Sequence, residues 1–242
     1  MGIKFIEMLN FFTISRFNKT ARFLPALAVA SGLLLPAALY LALFASPPDY
    51  QQGEAVRIMY IHVPSAWMAL FVYSVMAASS ASGLIWKNPL SYIMAKESAP
   101  IGACFTAITL ITGSLWGKPM WGAYWVWDAR LTSVLILFFL YIGFMLMFSA
   151  FDSRERAEKS AGVLAIMGFI NIPIIKFSVD WWNTLHQPAS IIRIGGPAIH
   201  SSMLWPLLIM FAGFVFLFIT LLIIRMQAEI LGRKTTRQYQ KT

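Results

Sequence analysis

Long runs without a charged side chain alternate with short polar segments along the whole chain. At about 1.5 Å of rise per residue, such a run is long enough to cross a hydrocarbon core of about 30 Å as a helix. The pattern therefore predicts an all-α integral membrane protein with six transmembrane helices in a single domain that covers residues 1–242. We place the spans at about residues 23–45, 63–86, 99–115, 131–151, 161–177 and 203–225.

The segments between these spans are polar and mostly short. Residues 46–61 are rich in turn-forming residues, 87–98 and 152–160 are predicted to be solvated loops, and 178–202 form a longer loop. Residues 226–242 form a basic tail that we expect to begin as a helical extension of the last span. The sequence shows no internal repeat and no second domain.

The composition agrees with a membrane protein. The chain is 59% hydrophobic and 12% charged, whereas a soluble domain is roughly 45–50% apolar and about 25% charged. The net charge of +9 does not by itself indicate a nucleic-acid partner, because basic residues in membrane proteins usually mark the cytoplasmic loops. The single cysteine, Cys104, excludes a disulfide and a CxxCH haem-attachment motif within this chain.

The distribution of basic residues predicts the orientation. Most of the 19 Lys and Arg residues lie in the N-terminal segment, the 87–98 and 152–160 loops and the tail. By the positive-inside rule, both termini are then cytoplasmic. The remaining three loops would face the opposite compartment together.

One of these three loops is unusually aromatic. The stretch Trp116 to Thr132, WGKPMWGAYWVWDARLT, is called the aromatic segment below, and it lies between the third and fourth spans. Its two glycines and its proline predict a loop or a partly ordered platform and not a helix. Tryptophans at the membrane surface have two interpretations. They can form an aromatic belt at the bilayer interface, or their indole faces can suit a large planar ligand.

The histidines lie on the same predicted side as the aromatic segment. His62 precedes the second span, and His186 and His200 lie between the fifth and sixth. Two neutral imidazoles with indoles between them are what a bis-histidine haem site needs, and Arg57, Lys118, Arg130 or Arg193 could pair with the propionates. The alternatives are hydrogen-bonded structural histidines and an ordinary ion pair between Asp128 and Arg130. His200, without aromatic neighbours, fits the structural alternative better.

The aromatic segment resembles the tryptophan-rich WWD signature of membrane proteins that handle haem in cytochrome c maturation. Together with HVPSAW around His62 and SVDWWNTLHQ around His186, it resembles the CcmC family, haem exporter protein C. The likeness runs from about Asp49 to Gln187 with the same six-span layout.

This resemblance implies a haem-delivery protein of the bacterial inner membrane and not an enzyme. It implies that His62 and His186 are axial ligands of haem b on the periplasmic face. It also implies delivery to the chaperone CcmE, which captures haem covalently during c-type cytochrome biogenesis, in a complex with the ABC-type proteins CcmA and CcmB and the small protein CcmD. The implied haem-holding residues are Trp116, Gly117, Pro119, Trp121, Gly122, Trp125, Trp127, Asp128 and Arg130.

Three alternative functions remain at this point. A cytochrome c synthetase shares the tryptophan loop but would carry more spans or a sizeable soluble domain. A haem permease would move haem across the bilayer. A structural anchor would use the aromatic segment only to seat the protein in the membrane.

Overall fold

A computed structural model describes residues 14–188, 190–191 and 193–239 and is all-helical there apart from turns and loops. Within these residues, six helical stretches are long and apolar enough to cross a membrane, which confirms the predicted number of spans. The orientation of the termini stays a prediction. The α-helices are α1 Ile14–Asn18, α2 Leu24–Tyr40, α3 Met59–Trp86, α4 Pro89–Trp121, α5 Ala129–Ala150, α6 Arg154–Gly168, α7 Asn171–Trp181 and α8 Ser201–Tyr239.

The helical hairpin of α3 and α4 forms the centre of the bundle. Helix α2 packs on α8, whereas α5 packs against α4, α6 and α7. The fully buried side chains are largely Tyr, Met and Leu, and the hydroxyl of Tyr141 donates to the carbonyl oxygen of Ala69 at 2.8 Å. This hydrogen bond satisfies a polar group that would otherwise be costly in an apolar interior.

The end of the bundle that holds the helical tail is tied together by ion pairs. Arg225 contacts the buried carboxylate of Glu97 at 2.9 Å, Lys96 contacts Glu229 at 2.9 Å, and Arg233 contacts Glu158 at 3.0 Å. These pairs join α4, α6 and α8. We call this the terminal end and the opposite end, which carries the aromatic segment, the tryptophan end.

Several predicted loops are helical. The loop expected at 87–98 is reduced to Lys87 and Asn88, because α4 begins at Pro89, where the missing backbone N–H costs nothing. The predicted loop 152–160 is helical from Arg154 onwards, and the last helix continues to Tyr239 through most of the tail. Residues 240–242 and 1–13 lie outside the described residues.

The first part of the aromatic segment is also helical, so its interpretation as a loop is wrong for residues 116–121. Helix α4 runs through Trp116, Gly117 and Pro119 to Trp121. It ends at Gly122, whose φ of 77° lies in the left-handed region and whose N–H donates to the carbonyl oxygen of Lys118 at 3.0 Å. Pro119 lies within the last turn, where it removes the backbone N–H that would donate to the carbonyl oxygen of residue 115.

The fifth crossing consists of two helices. Helix α6 ends at Gly168, the chain turns at Phe169 and Ile170, and α7 begins at Asn171. The proline at position 173 lies in the first turn of α7, where its missing N–H is not needed. The uninterrupted span expected at 161–177 is therefore divided near its middle.

Candidate histidine and tryptophan site

The ring of His62 is fixed by a hydrogen bond to α4. His62 lies in the first turn of α3, and its Nδ1 is 3.0 Å from the hydroxyl of Thr112. That hydroxyl donates its own proton to the carbonyl oxygen of Ile108, at 2.6 Å, so it acts as the acceptor for the imidazole. A neutral His62 therefore carries its proton on Nδ1, and its Nε2 keeps a free electron pair.

Gly113 and Trp116 shape the space around this ring. A Cβ atom at Gly113 would stand 2.9 Å from Cε1 of His62, so the absence of a side chain lets the imidazole lie against α4. The indole of Trp116, one turn further along α4, meets the imidazole edge-on with ring centroids 5.6 Å apart. Its Nε1 donates to the side-chain oxygen of Gln52 at 3.0 Å, which fixes the indole.

His186 is held in a similar way by a carboxylate. Its Nδ1 is 3.3 Å from Oδ2 of Asp128, and its ring lies 4.9 Å from that of Trp121. An ionised carboxylate only accepts hydrogen bonds, so the proton of neutral His186 is on Nδ1 and Nε2 is again left available. Burial lowers the pKa of His186, and the hydrogen bond that the ring donates to Asp128 opposes this only in part, which favours the neutral ring at pH 7.

Asp128 serves two purposes at once. Its Oδ1 accepts a hydrogen bond from the backbone N–H of Leu131 at 2.7 Å and thereby caps the N-terminus of α5, while Oδ2 holds His186. A carboxylate that orients an imidazole through Nδ1 is the usual companion of a histidine whose other nitrogen binds a metal.

We expect Asp128→Ala to lower the free energy of unfolding by about 1 kcal/mol through loss of the helix cap. Asp128→Asn should retain most of that stability, because an asparagine oxygen also caps helices. Thermal unfolding of both variants in the same detergent would test this. Equal midpoints for the alanine variant and the unsubstituted protein would contradict the capping role.

The two imidazoles converge on the same end of the bundle. His62 lies within electrostatic range of both His186 and Arg130. Trp116 and Trp121, from the last two turns of α4, stand beside the two different histidines. His200 has another environment: it is exposed, and its Nδ1 lies 2.8 Å from the hydroxyl of Ser202 at the start of α8.

The second part of the aromatic segment, from Gly122 to Asp128, is an open loop at this end. The rings of Trp125 and Trp127 meet edge-on at 5.4 Å, and Trp127 is 77% exposed. The Nε1 of Trp125 is buried and has no hydrogen-bond partner among the described residues. A cleft of about 240 Å³ separates Val126–Asp128 from residues 183–185.

Three of the four basic residues expected near a carboxylate ligand have partners within the protein. Arg57 binds Glu54 and the carbonyl oxygens of residues 42 and 46. Lys118 donates to the carbonyl oxygen of Gly122 at 3.0 Å, and Arg130 donates from Nε to the hydroxyl of Ser178 at 3.0 Å. The side chain of Arg193 is exposed. The alternative of an Asp128–Arg130 ion pair is not what the contacts show, since Asp128 pairs with His186.

The residues that support the two imidazoles were not predicted from the sequence. Thr112, Gly113, Gln52 and Ser178 were not singled out. One signal was available for the first two, because positions 112 and 113 lie four and three residues before Trp116, a spacing that puts each of them beside Trp116 on a helix. Within the described part of the chain, no group of three or more His, Cys, Asp or Glu side chains could hold a metal ion.

Fold and site together define a class: a polytopic helical membrane protein with two histidines, each beside a tryptophan, at one end of the bundle. The chain belongs to the CcmC family, heme exporter protein C, whose sequence model matches residues 8–241. This confirms the resemblance identified from the sequence.

Individual relatives agree with this assignment. The chain is 56% identical to heme exporter protein C of Bradyrhizobium diazoefficiens over 215 residues, 89% of this chain and 81% of the relative. It is 45% identical to heme exporter protein C of Escherichia coli K12 over 218 residues, 90% of this chain and 87% of the relative. A putative cytochrome c biosynthesis ccmC-like mitochondrial protein of Marchantia polymorpha is 55% identical over 180 residues, 74% of this chain and 76% of the relative.

Proposed function

We propose that this protein binds haem at the tryptophan end, with Nε2 of His62 and of His186 as the two axial ligands of the iron. The observation that carries the proposal is the matched state of the two imidazoles. Each has its Nδ1 occupied by an acceptor that fixes the tautomer, Thr112 or Asp128, and each keeps its Nε2 free. A bis-imidazole haem site requires this arrangement on both rings.

The surroundings of the two rings suit a porphyrin. Trp116 and Trp121 bring indole surfaces beside both imidazoles. The unpaired Nε1–H of Trp125 can donate a hydrogen bond to a carboxylate of the ligand. Gly117, Pro119 and Gly122 act indirectly in this proposal, because they shape the end of α4 from which the indoles project. The bound haem supplies the iron and the porphyrin ring.

The destination of the haem is part of the proposal. Trp127 and the adjoining cleft leave the second part of the aromatic segment open to a partner. We infer that the protein lies in the bacterial inner membrane with this end in the periplasm, and that haem b passes from here to the chaperone CcmE. CcmA, CcmB and CcmD are the proposed partners in the membrane. The protein delivers haem and carries out no covalent step itself, so it is not proposed to be an enzyme.

A transfer experiment tests this function. The detergent-purified, haem-loaded protein is mixed with the purified soluble domain of the chaperone, and the haem on each is measured after separation. We expect haem to move to the chaperone, and a Trp127→Ala variant to transfer its bound haem at least several-fold more slowly, with the rate expressed per haem bound. The account would be contradicted if no haem moved, or if reconstituted vesicles passed haem across the bilayer without a partner, as a permease would.

A further inference from the structure

Phe169 and Ile170 interrupt the regular α-helical hydrogen bonding between α6 and α7, although their backbone stays in the right-handed helical region. Helix α7 is eleven residues long, follows the turn at Phe169 and Ile170, and packs chiefly against α5. Its opposite face carries the exposed side chains of Phe177 and Trp181, which are 43% and 57% exposed. An eleven-residue helix packed on one neighbour needs specific contacts to keep its position.

These contacts come from the first turns of α5. At the start of α7, the Asn171 side chain donates to the carbonyl oxygen of Ser133 at 2.8 Å. Towards its other end, Arg130 donates to the Ser178 hydroxyl at 3.0 Å, and its Nη2 lies 3.4 Å from the carbonyl oxygens of residues 175 and 176. Ser178 is fully buried, so the guanidinium is bound inside the contact between the two helices.

The same turn of α5 also holds the histidine. Asp128 precedes Arg130 by two residues and binds the His186 ring, which follows α7 by five residues. Asp128 therefore fixes the ring, and Arg130 fixes the helix on which the ring depends. Nε and Nη2 of Arg130 are both bound to α7, so only Nη1 is left to meet a ligand carboxylate, and most of the guanidinium serves the contact between the helices.

We propose that Arg130 is a positioning residue that latches α7 to α5 and so sets how long His186 stays on the haem iron, with the break at Phe169 and Ile170 as the hinge on which α7 moves when haem is released. The inference rests on the proposed function only for the identity of the ligand. The latch itself is a property of the haem-free protein.

Hydrogen exchange on the haem-free protein tests the latch. Arg130→Gln removes the charged donor, and the loss of a charged hydrogen bond corresponds to about a tenfold or larger change in the opening equilibrium of α7. We expect the backbone amides of residues 175–182 to exchange about tenfold faster in this variant. The control is Arg154→Gln, at the terminal end, which should leave these amides unchanged. Unchanged protection of α7 in Arg130→Gln would overturn the proposal.

A second measurement connects the latch to haem. The rate of haem loss to excess apomyoglobin is compared for Arg130→Gln, Ser178→Ala and the double variant. We expect faster loss in both single variants and no further gain in the double variant, because the two residues act through one contact. Additive effects, no effect of Ser178→Ala, or loosened α7 amides with unchanged haem loss would each overturn the proposal. If instead His186→Ala left the iron ligation unchanged, the proposed haem ligand would fail and the exchange result would stand.

Discussion

Replacing both His62 and His186 by alanine is expected to leave the purified protein without bound haem. Each imidazole is held by its own hydrogen bond: His62 by Thr112 of α4, and His186 by Asp128 at the start of α5. With both imidazoles removed, the iron loses its two proposed nitrogen ligands, and we expect the haem affinity to fall by at least about 100-fold. The measurement is the haem content per protein as the pyridine haemochrome.

The matched control for this experiment is His200→Ala. His200 also lies at the tryptophan end, but its ring is exposed and its Nδ1 is used at the start of α8. We expect this variant to keep the full haem content. Loss of haem from His200→Ala, with haem retained by the double variant, would show that the wrong histidines were chosen.

A single methyl group at Gly113 is expected to have the next largest effect. A Cβ atom there would stand 2.9 Å from Cε1 of His62, so the imidazole must move away from α4 and its hydrogen bond to Thr112 must lengthen. Overpacking of this kind typically costs about 1–3 kcal/mol, and an equal loss of binding free energy lowers the haem affinity by roughly 5- to 150-fold. A haem titration followed by absorbance would measure it.

Gly32→Ala is the control for the backbone effect of this substitution. Gly32 lies in α2, and a Cβ atom there would have no atom within 4 Å. Alanine stabilises a helix relative to glycine by roughly 0.5–1 kcal/mol, so Gly32→Ala should keep or gain thermal stability, whereas in Gly113→Ala the overpacking opposes this gain. Only Gly113→Ala should weaken haem binding. Equal haem affinities for the two variants would contradict the close approach of His62 to α4.

The spans could be predicted because a bilayer requires a visible pattern. Each crossing must be apolar over its whole length, so it is visible in the sequence as a continuous run of apolar residues. The ends of the helices were harder to predict, because the helix propensities of single residues are weak signals. Gly117 and Pro119 suggested a loop, but α4 continues past both residues and ends at Gly122. The break after Gly168 was missed, since the hydrophobic run continues through it.

The predicted topology was enough to bring the two histidines to one end of the bundle. It did not predict the hydrogen-bond partners of their rings. An odd number of crossings between His62 and His186 would have separated them, and the predicted spans placed both at one end. The partners of the rings are far away in sequence: Thr112 is 50 residues from His62, and Asp128 is 58 residues from His186. Such contacts depend on how the helices pack, and local periodicity carries no information about that.

The central claim is that both imidazoles bind one iron. The most direct test is the absorption spectrum of the haem-loaded protein beside those of His62→Ala and His186→Ala, each loaded with haem in the same detergent. We predict a low-spin, six-coordinate spectrum for the unsubstituted protein and loss of that spectrum in each single variant, with recovery on addition of free imidazole. An unchanged low-spin spectrum in both variants would contradict the account.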